Sequence, residues 1–114
     1  MVSVALAGVT LHVADVERSM AFYSRLPGAV VLFHMPGRFG LQKFGTGRLG
    51  ILADQKRQFH VELEVADIDA AAMALREMGI EVDGPTTRDW GERDLLVHDP
   101  DGYLVEFGTA RGAQ

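Results

Sequence analysis

The sequence contains no cysteine among its 114 residues. This absence excludes disulfide bonds, a thiol nucleophile and a thiolate metal site. No apolar run approaches the roughly 18 residues of a membrane span, and the N-terminus lacks the basic segment and long apolar run of a signal peptide. We therefore expect a cytoplasmic protein with no membrane partner.

Positive charge is also scarce, because 11 Lys and Arg residues stand against 16 Asp and Glu residues, which gives a net charge of −5. This balance argues against a nucleic-acid partner and favours neutral or cationic small-molecule ligands. The hydrophobic fraction of 47% and the charged fraction of 24% are ordinary for a globular protein. We interpret residues 1–114 as a single domain.

Two nine-residue stretches are close copies of each other, GVTLHVADV at residues 8–16 and HVELEVADI at residues 60–68. Apolar residues occupy alternate positions in both, which is typical of a strand with one face in a core. Each copy runs into an aspartate, Asp15 or Asp67, that is placed to cap a helix. The repeat predicts a first module over residues 4–53 and a second module over residues 59–109.

Each module is predicted to contain a strand, a helix and three further strands, so the expected fold class is α+β. The predicted strands are 4–14, 30–33, 38–44, 48–53, 59–66, 80–82, 93–97 and 103–107. The inward helix residues are predicted from the 3.6-residue period to be Val16, Met20, Tyr23 and Leu26, then Ile68, Ala71, Leu75 and Met78. Residues 54–58 are interpreted as a polar connector, and the tail from Ala110 is expected to fray.

Four segments resemble a known superfamily: VADVERSMAFY at 13–23, VADIDAA at 65–71, WGER at 90–93 and DPDGYLVEF at 99–107. On these motifs the chain resembles the vicinal-oxygen-chelate superfamily, which includes glyoxalase I, extradiol dioxygenases, fosfomycin-resistance enzymes and bleomycin-resistance proteins. The resemblance implies paired βαβββ modules that form a cupped mixed sheet in a homodimer. It also implies a small-molecule ligand, acted on by a metal-dependent lyase or dioxygenase.

The resemblance also implies positions for metal ligands and catalytic residues. In metal-dependent relatives one ligand lies seven residues before the capping Asp of each module, and another lies four residues after the glycine of the final turn. His60 and Glu106 match, so the resemblance implies a divalent metal (Zn, Fe, Mn or Ni) and catalytic roles at these two residues. Their counterparts in the first module, Gly8 and by our alignment Ile51, cannot ligate, which leaves the set incomplete.

Four further residues are predicted to contact the substrate. Thr10 and His12 alternate onto the same strand face as Gly8, although His12 lies roughly 13 Å further along at ~3.3 Å per residue and cannot replace a ligand there. By resemblance, Trp90 and Arg93 border the pocket mouth, where an aromatic ring and a guanidinium can hold a flat or carboxylated substrate. Packing for Trp90 and a surface ion pair for Arg93 are the alternatives.

Two functions follow from these observations. The first is a glyoxalase- or dioxygenase-like protein acting on a small molecule at His60 and Glu106, assisted by a divalent metal with an incomplete ligand set. The second is a metal-free binding protein of bleomycin-resistance type that sequesters a hydrophobic or cationic compound. The first requires that both side chains are buried, because a solvated strand face would leave an ordinary surface histidine and carboxylate.

Overall fold

The computed structural model describes residues 2–109, in which the chain forms eight strands and two helices. These residues divide between two compact units, an N-terminal unit of residues 8–60 and a C-terminal unit of residues 2–7 and 61–109. The predicted α+β class and the βαβββ order of both modules are confirmed. Neither helix of the described range is long and apolar enough to cross a membrane. The expected fraying from Ala110 lies outside these residues, and the single domain over residues 1–114 stays a prediction.

The N-terminal unit is a mixed sheet with one helix against it. Its elements are β1 (Ala5–Val13), α1 (Val16–Ser24), β2 (Ala29–Met35), β3 (Phe39–Phe44) and β4 (Gly47–Ala53). The strand order is β2-β3-β4-β1, with β1 parallel to β4 and the other pairs antiparallel. Helix α1 buries Val16 and Met20 against Ile51 of β4, and this apolar contact stabilises the helix on one face of the sheet.

The C-terminal unit repeats the order with different side chains. Its elements are β5 (Gln58–Val65), α2 (Ile68–Glu77), β6 (Asp83–Thr87), β7 (Arg93–His98) and β8 (Leu104–Thr109), and the strand order is β5-β8-β7-β6. The division cuts two strands, since residues 58–60 of β5 belong to the N-terminal unit and residues 5–7 of β1 to the C-terminal unit. Ile68 and Ala71 of α2 pack in one cluster with Leu95 and Phe107 of the sheet. As in the other unit, one sheet face is apolar and covered by the helix, so the opposite face is left for polar side chains.

Both predicted helix caps are present. Asp15 accepts a hydrogen bond from the backbone N–H of Arg18 at 3.0 Å. Asp67 accepts two, from the N–H groups of Asp69 at 3.0 Å and Ala70 at 3.1 Å. These bonds satisfy donors that have no partner within the helix itself.

Replacing Asp67 by alanine is expected to lower the free energy of unfolding by about 1 kcal/mol, the usual effect of losing such a cap. Urea denaturation at neutral pH measures the loss. Glu77→Ala is the matched control, since Glu77 is an exposed acidic residue in the last turn of the same helix and should leave stability nearly unchanged. Equal stability of the Asp67→Ala variant and the wild type would contradict the role of the cap.

The strand predicted at residues 80–82 is wrong, because the second strand of the second module is β6, residues 83–87, in the stretch between the predicted strands 80–82 and 93–97. Ile80 and Val82 are apolar for a different reason, since both pack beside the α2 core cluster without joining a ladder. Strand β6 pairs with β7 through Thr86 and Thr87, with an irregular register before Thr86. A proline at that irregularity is tolerated in an edge strand.

Two side chains that were predicted to face inward, Met78 and Leu26, are instead exposed. Met78 is 72% exposed, and Met73 of α2 is 64% exposed. Helix α2 instead packs on the core through the small residues Ala71 and Ala72, which are 1% and 2% exposed. In α1 the predicted Val16 and Met20 are buried, whereas Leu26 lies beyond the end of the helix and is 38% exposed.

Candidate functional site

Strand alternation separates the two faces of the N-terminal sheet. Leu11 and Ile51 are register partners and both pack in the cluster beneath α1. The neighbouring pair, Thr10 with Gly50, therefore faces away from the helix, and His12 lies on that same face. Thr10 is 1% exposed and His12 is 6% exposed. His12 is therefore not a solvent-exposed strand residue. Substrate contact by Thr10 and His12 stays a prediction.

His12 and His60 are in direct contact. Nε2 of His12 lies 2.7 Å from Nδ1 of His60, and the two rings are perpendicular with centroids 4.9 Å apart. His60 is 4% exposed, so it is not a histidine on a solvated strand face. Two adjacent buried imidazoles therefore lie on the helix-free sheet face of the N-terminal unit.

Asp54 completes the arrangement at the other side of His12. Its Oδ2 lies 2.8 Å from Nδ1 of His12 and accepts a hydrogen bond from Nε2 of Gln58 at 3.1 Å. The other oxygen, Oδ1, accepts one from the backbone N–H of Lys56 at 3.1 Å. The hydrogen bond from His12, then those from Lys56 and Gln58, lower the pKa of Asp54 to about 2. Asp54 is therefore a carboxylate at neutral pH.

The ligand positions expected in the first module cannot carry ligands in this structure. A Cβ atom at Gly8 would lie 2.0 Å from the backbone carbonyl oxygen of Arg48, so the backbone leaves no space for a side chain. Ile51 is 0% exposed and packs towards α1. Our alignment of Ile51 with Glu106 is wrong, because Ile51 faces the helix of its unit whereas Glu106 lies on the sheet face that no helix covers.

Glu106 is buried on β8 at 9% exposure. Its register partner is Leu96, whereas the adjacent pair of Leu95 and Phe107 packs beneath α2. Glu106 therefore faces away from the helix, as His12 does in the other unit. The alternative of a carboxylate exposed at a strand end is excluded.

Other carboxylates surround Glu106. One oxygen each of Glu92, Asp94 and Glu106 lie within 4.8 Å of one another. Burial, followed by the negative charges of Glu92, Asp94 and Glu62 and a hydrogen bond to Asp94, raises the pKa of Glu106 to about 10. Glu106 is consequently a neutral carboxylic acid at pH 7.

Arg88 compensates the charge of Asp94, the most buried member of this group at 0% exposure. The Arg88 guanidinium donates to both Asp94 carboxylate oxygens, with Nε···O distances of 3.0 Å and an Nη2···Oδ1 distance of 2.8 Å. Such a two-pronged pair is the strong form of an ion pair. Because the Arg88 guanidinium donates to both Asp94 oxygens, the proton of the hydrogen bond between Asp94 and Glu106 is assigned to Glu106, whose pKa is raised.

Trp90 and Arg93 lie on and beside the turn between β6 and β7. Trp90 is half-buried, and Nη1 of Arg93 donates to Oδ2 of Asp69 at 2.9 Å in an exposed ion pair. This is the surface ion pair that the sequence left open for Arg93. Substrate contact by either residue stays a prediction.

Two cavities occur within the C-terminal unit, of about 500 and 440 Å³. The larger is lined by Glu81, Val82, Asp83, Leu96 and His98. Leu96 is the register partner of Glu106 and shares its sheet face. The smaller cavity lies beside α2, between Met73 and Pro85. None of the predicted site residues lines either cavity.

Four functional residues escaped the sequence analysis: Asp54, Gln58, Arg88 and Asp94. Asp54 and Gln58 belong to the segment interpreted as a connector, and Arg88 belongs to the predicted loop. The sequence contained one indication for Asp94, a charged residue beside the apolar residues of a predicted strand. His60 and Glu106 belong to different compact units, and their joint action stays a prediction.

Residues 8–107 match the family model described as a glyoxalase-like domain. No curated protein sequence matches the chain at a significant level.

Several solved structures share the fold. Methylmalonyl-CoA epimerase from Mycobacterium tuberculosis is 20% identical, with a TM-score of 0.76 over 94% of this chain and 89% of that one. A variant of the Streptomyces coelicolor methylmalonyl-CoA epimerase, in complex with 2-nitronate-propionyl-CoA, is 21% identical, with a TM-score of 0.78 over 96% of each chain. A glyoxalase/bleomycin resistance protein/dioxygenase superfamily member from Vibrio splendidus is 18% identical, with a TM-score of 0.66 over 96% of this chain and 100% of that one.

Proposed function

Because the chain belongs to the glyoxalase-like domain family, we propose that it acts on a small molecule by transferring a proton, with His60 and Glu106 as the acting residues. Family membership alone fixes no reaction, since one fold hosts unrelated chemistries. The proposal therefore depends on the chemical state of the two side chains. The sequence-based prediction assigns both to one substrate.

The observation that carries the proposal is the buried, neutral carboxyl of Glu106. A carboxylic acid that keeps its proton at pH 7 can donate a hydrogen bond to an oxygen that becomes negative during a reaction. The Arg88–Asp94 pair holds this proton in place, because the Asp94 carboxylate accepts it in the resting state. In the complementary role, His60 is the candidate base that removes a proton from the substrate.

A carbon acid next to a carbonyl group is the substrate class that fits this division of roles. Removal of its proton places negative charge on the carbonyl oxygen, where an acidic carboxyl stabilises it. Two of the structural neighbours are methylmalonyl-CoA epimerases, and an acyl thioester is one member of this class. Thr10, His12, Trp90 and Arg93 are proposed to contact the substrate.

Deuterium exchange tests the proposed proton transfer. A panel of carbonyl compounds with an acidic C–H, methylmalonyl-CoA among them, is incubated with the protein in D₂O and followed by NMR. At least one compound should exchange, and His60→Ala should slow that exchange by about 100-fold or more. His34→Ala is the control, because His34 is an exposed histidine paired with Glu17. Equal exchange by the His60→Ala variant and the wild type would refute the role of His60.

The complete ligand set of metal-dependent relatives does not fit this chain. Gly8 has no space for a side chain, and Ile51 is packed beneath α1. His60 and Glu106 match the remaining positions, and the proton on Glu106 competes with a metal, since ligands must be deprotonated. Divalent-metal binding by these two residues stays a prediction, and no step of the proposal passes through a metal.

Metal analysis of protein purified without chelators tests that prediction against a His60→Ala/Glu106→Ala variant. Stoichiometric metal in the wild type that the variant lacks would support assistance by a divalent ion. Equal and negligible metal in both would remove the metal version and leave the proton-transfer proposal standing.

The second candidate is sequestration of a hydrophobic or cationic compound without chemistry. The negative charges of Glu92, Asp94 and Glu62, which act on Glu106, favour a cation as the ligand. A ligand that binds only the folded protein raises its melting temperature. Stabilisation by cationic drugs, together with no exchange of any carbon acid, would favour sequestration over catalysis.

Two further expectations complete the proposal, a homodimer in solution and a cytoplasmic location. Light scattering coupled to size-exclusion chromatography measures the mass of the particle. Cell fractionation of the tagged full-length protein measures its location.

A further inference from the structure

In the hydrogen-bonded series Asp54–His12–His60, each hydrogen bond has a defined donor and acceptor. Both of its links are short, 2.8 Å between Asp54 and His12 and 2.7 Å between the two histidines, and both imidazoles are at least nine-tenths buried. A carboxylate oxygen can only accept a hydrogen bond, whereas a neutral imidazole has one N–H and one lone pair. With both imidazoles neutral, the position of every proton in the series follows from its first member.

Asp54 is ionised, so Nδ1 of His12 must carry the proton that it donates to Oδ2. Nε2 of His12 then holds a lone pair and accepts from Nδ1–H of His60 at 2.7 Å. Nε2 of His60, the atom at the end of the series, is left with its lone pair. Gln58 Nε2 donates to the same Asp54 oxygen at 3.1 Å and lies 3.3 Å from Nδ1 of His12, a longer contact than the 2.8 Å between that nitrogen and Asp54.

We propose that Asp54 and His12 are positioning residues that hold His60 as the Nδ1–H tautomer, with the lone pair on Nε2. This inference rests on the proposed role of His60 and specifies the ligand that His60 can meet. A lone pair binds a proton of a C–H or O–H acid, or a cation. It cannot donate a hydrogen bond to an oxyanion, and in our proposal that task falls to Glu106.

The tautomer has a direct spectroscopic signature that does not require a substrate. Long-range ¹H–¹⁵N correlation spectra of the full-length protein distinguish a protonated from an unprotonated ring nitrogen. In the wild type at neutral pH, His60 should show a protonated Nδ1 and an unprotonated Nε2. This is the reverse of the tautomer that free histidine favours in water, so a flexible or solvated ring would not produce it.

The protein contains its own reference for this measurement. His34 approaches Oε2 of Glu17 through Nε2 at 2.9 Å, so its proton belongs on Nε2. The same spectrum should therefore show opposite tautomers for His34 and His60. Glu17→Gln is the matched control variant, because it removes the carboxylate partner of a different histidine and should leave His60 unchanged.

Asp54→Asn removes the obligate acceptor that sets the direction of the series. The ratio of the Nδ1–H to the Nε2–H tautomer of His60 should fall by about tenfold, as expected for the loss of one hydrogen bond to a charged group. Asp54→Glu should restore part of the ratio, which simple loss of packing would not. Nε2–H as the main His60 tautomer in the wild type, or an unchanged ratio in Asp54→Asn, would overturn the proposal.

The wild-type spectrum suffices to refute the inference if Asp54→Asn does not fold. Deuterium exchange is a separate readout, so the two ideas can fail independently. An Nδ1–H tautomer without catalysis would leave the positioning role intact and would reject His60 as a base.

Discussion

Gly8→Ala is expected to lower the free energy of unfolding by about 3 kcal/mol or more, at the upper end of the usual effect of overpacking. The added Cβ atom would lie 2.0 Å from the carbonyl oxygen and 2.8 Å from the carbonyl carbon of Arg48. Both are backbone atoms of the strand that pairs with β1, so no rotamer change can relieve the overlap. The parallel ladder would have to move.

Urea denaturation measures this loss, with Gly47→Ala as its control. Gly47 begins β4, and a Cβ atom there would lie 3.6 Å from the nearest atom, the carbonyl oxygen of Phe44. The Gly47 variant should therefore be nearly as stable as the wild type. Wild-type stability of the Gly8 variant would mean that β1 and β4 do not approach this closely.

The same steric limit bears on attempts to engineer a metal site. Gly8→His places a metal-binding side chain at the position where the resemblance implies a ligand, yet its Cβ atom meets the same Arg48 oxygen. We expect that variant to be destabilised at least as much as Gly8→Ala and to gain no stoichiometric metal. The incomplete ligand set is thus a property of the backbone as well as of the sequence.

Glu106→Gln is expected to stabilise the protein at pH 8 by as much as about 5 kcal/mol, since pH 8 lies roughly 3.5 units above the ordinary pKa of 4.5 and each unit corresponds to about 1.4 kcal/mol. The unfolded chain ionises this carboxyl above its ordinary pKa of 4.5, whereas the folded protein raises the pKa to about 10. In the wild type, the protonated Glu106 therefore causes no loss of stability below pH 4.5. Above it, the free energy of unfolding of the wild type falls progressively as the pH rises towards 10. Glutamine is neutral in both states and avoids this loss.

The measurement is the free energy of unfolding at several pH values for the wild type and the variant. The two curves should converge near pH 4 and separate as the pH rises. Glu81→Gln is the control, because Glu81 is exposed and should leave the pH dependence unchanged. Parallel curves for Glu106→Gln and the wild type would contradict the raised pKa.

Activity should change in the opposite direction from stability. Under the proposed function, Glu106→Gln should slow the exchange of the substrate's acidic C–H by about 100-fold, the usual effect of losing an acid–base group. A gain in stability with a loss of activity is typical of a residue that is strained for function. A stabilised variant with wild-type exchange would assign Glu106 no role in the reaction.

The sequence by itself determined the elements and the repeat. Alternating apolar residues and the two aspartate caps predicted the first strand and the helix of each module, since these signals act within a few residues of the chain. The signals failed at residues 80–82, where Ile80 and Val82 are apolar because they pack on the core cluster. A short apolar run does not distinguish strand pairing from side-chain packing.

Only the tertiary structure decided the chemistry of the predicted residues. The contact of His12 with His60 joins residues 48 positions apart in the sequence, and the pairing of Arg88 with Asp94 depends on the register of the strands around the turn. The neutral state of Glu106 depends on burial and on three other carboxylates. Local sequence patterns contain neither register nor desolvation, because both arise from residues that meet only after the chain has folded.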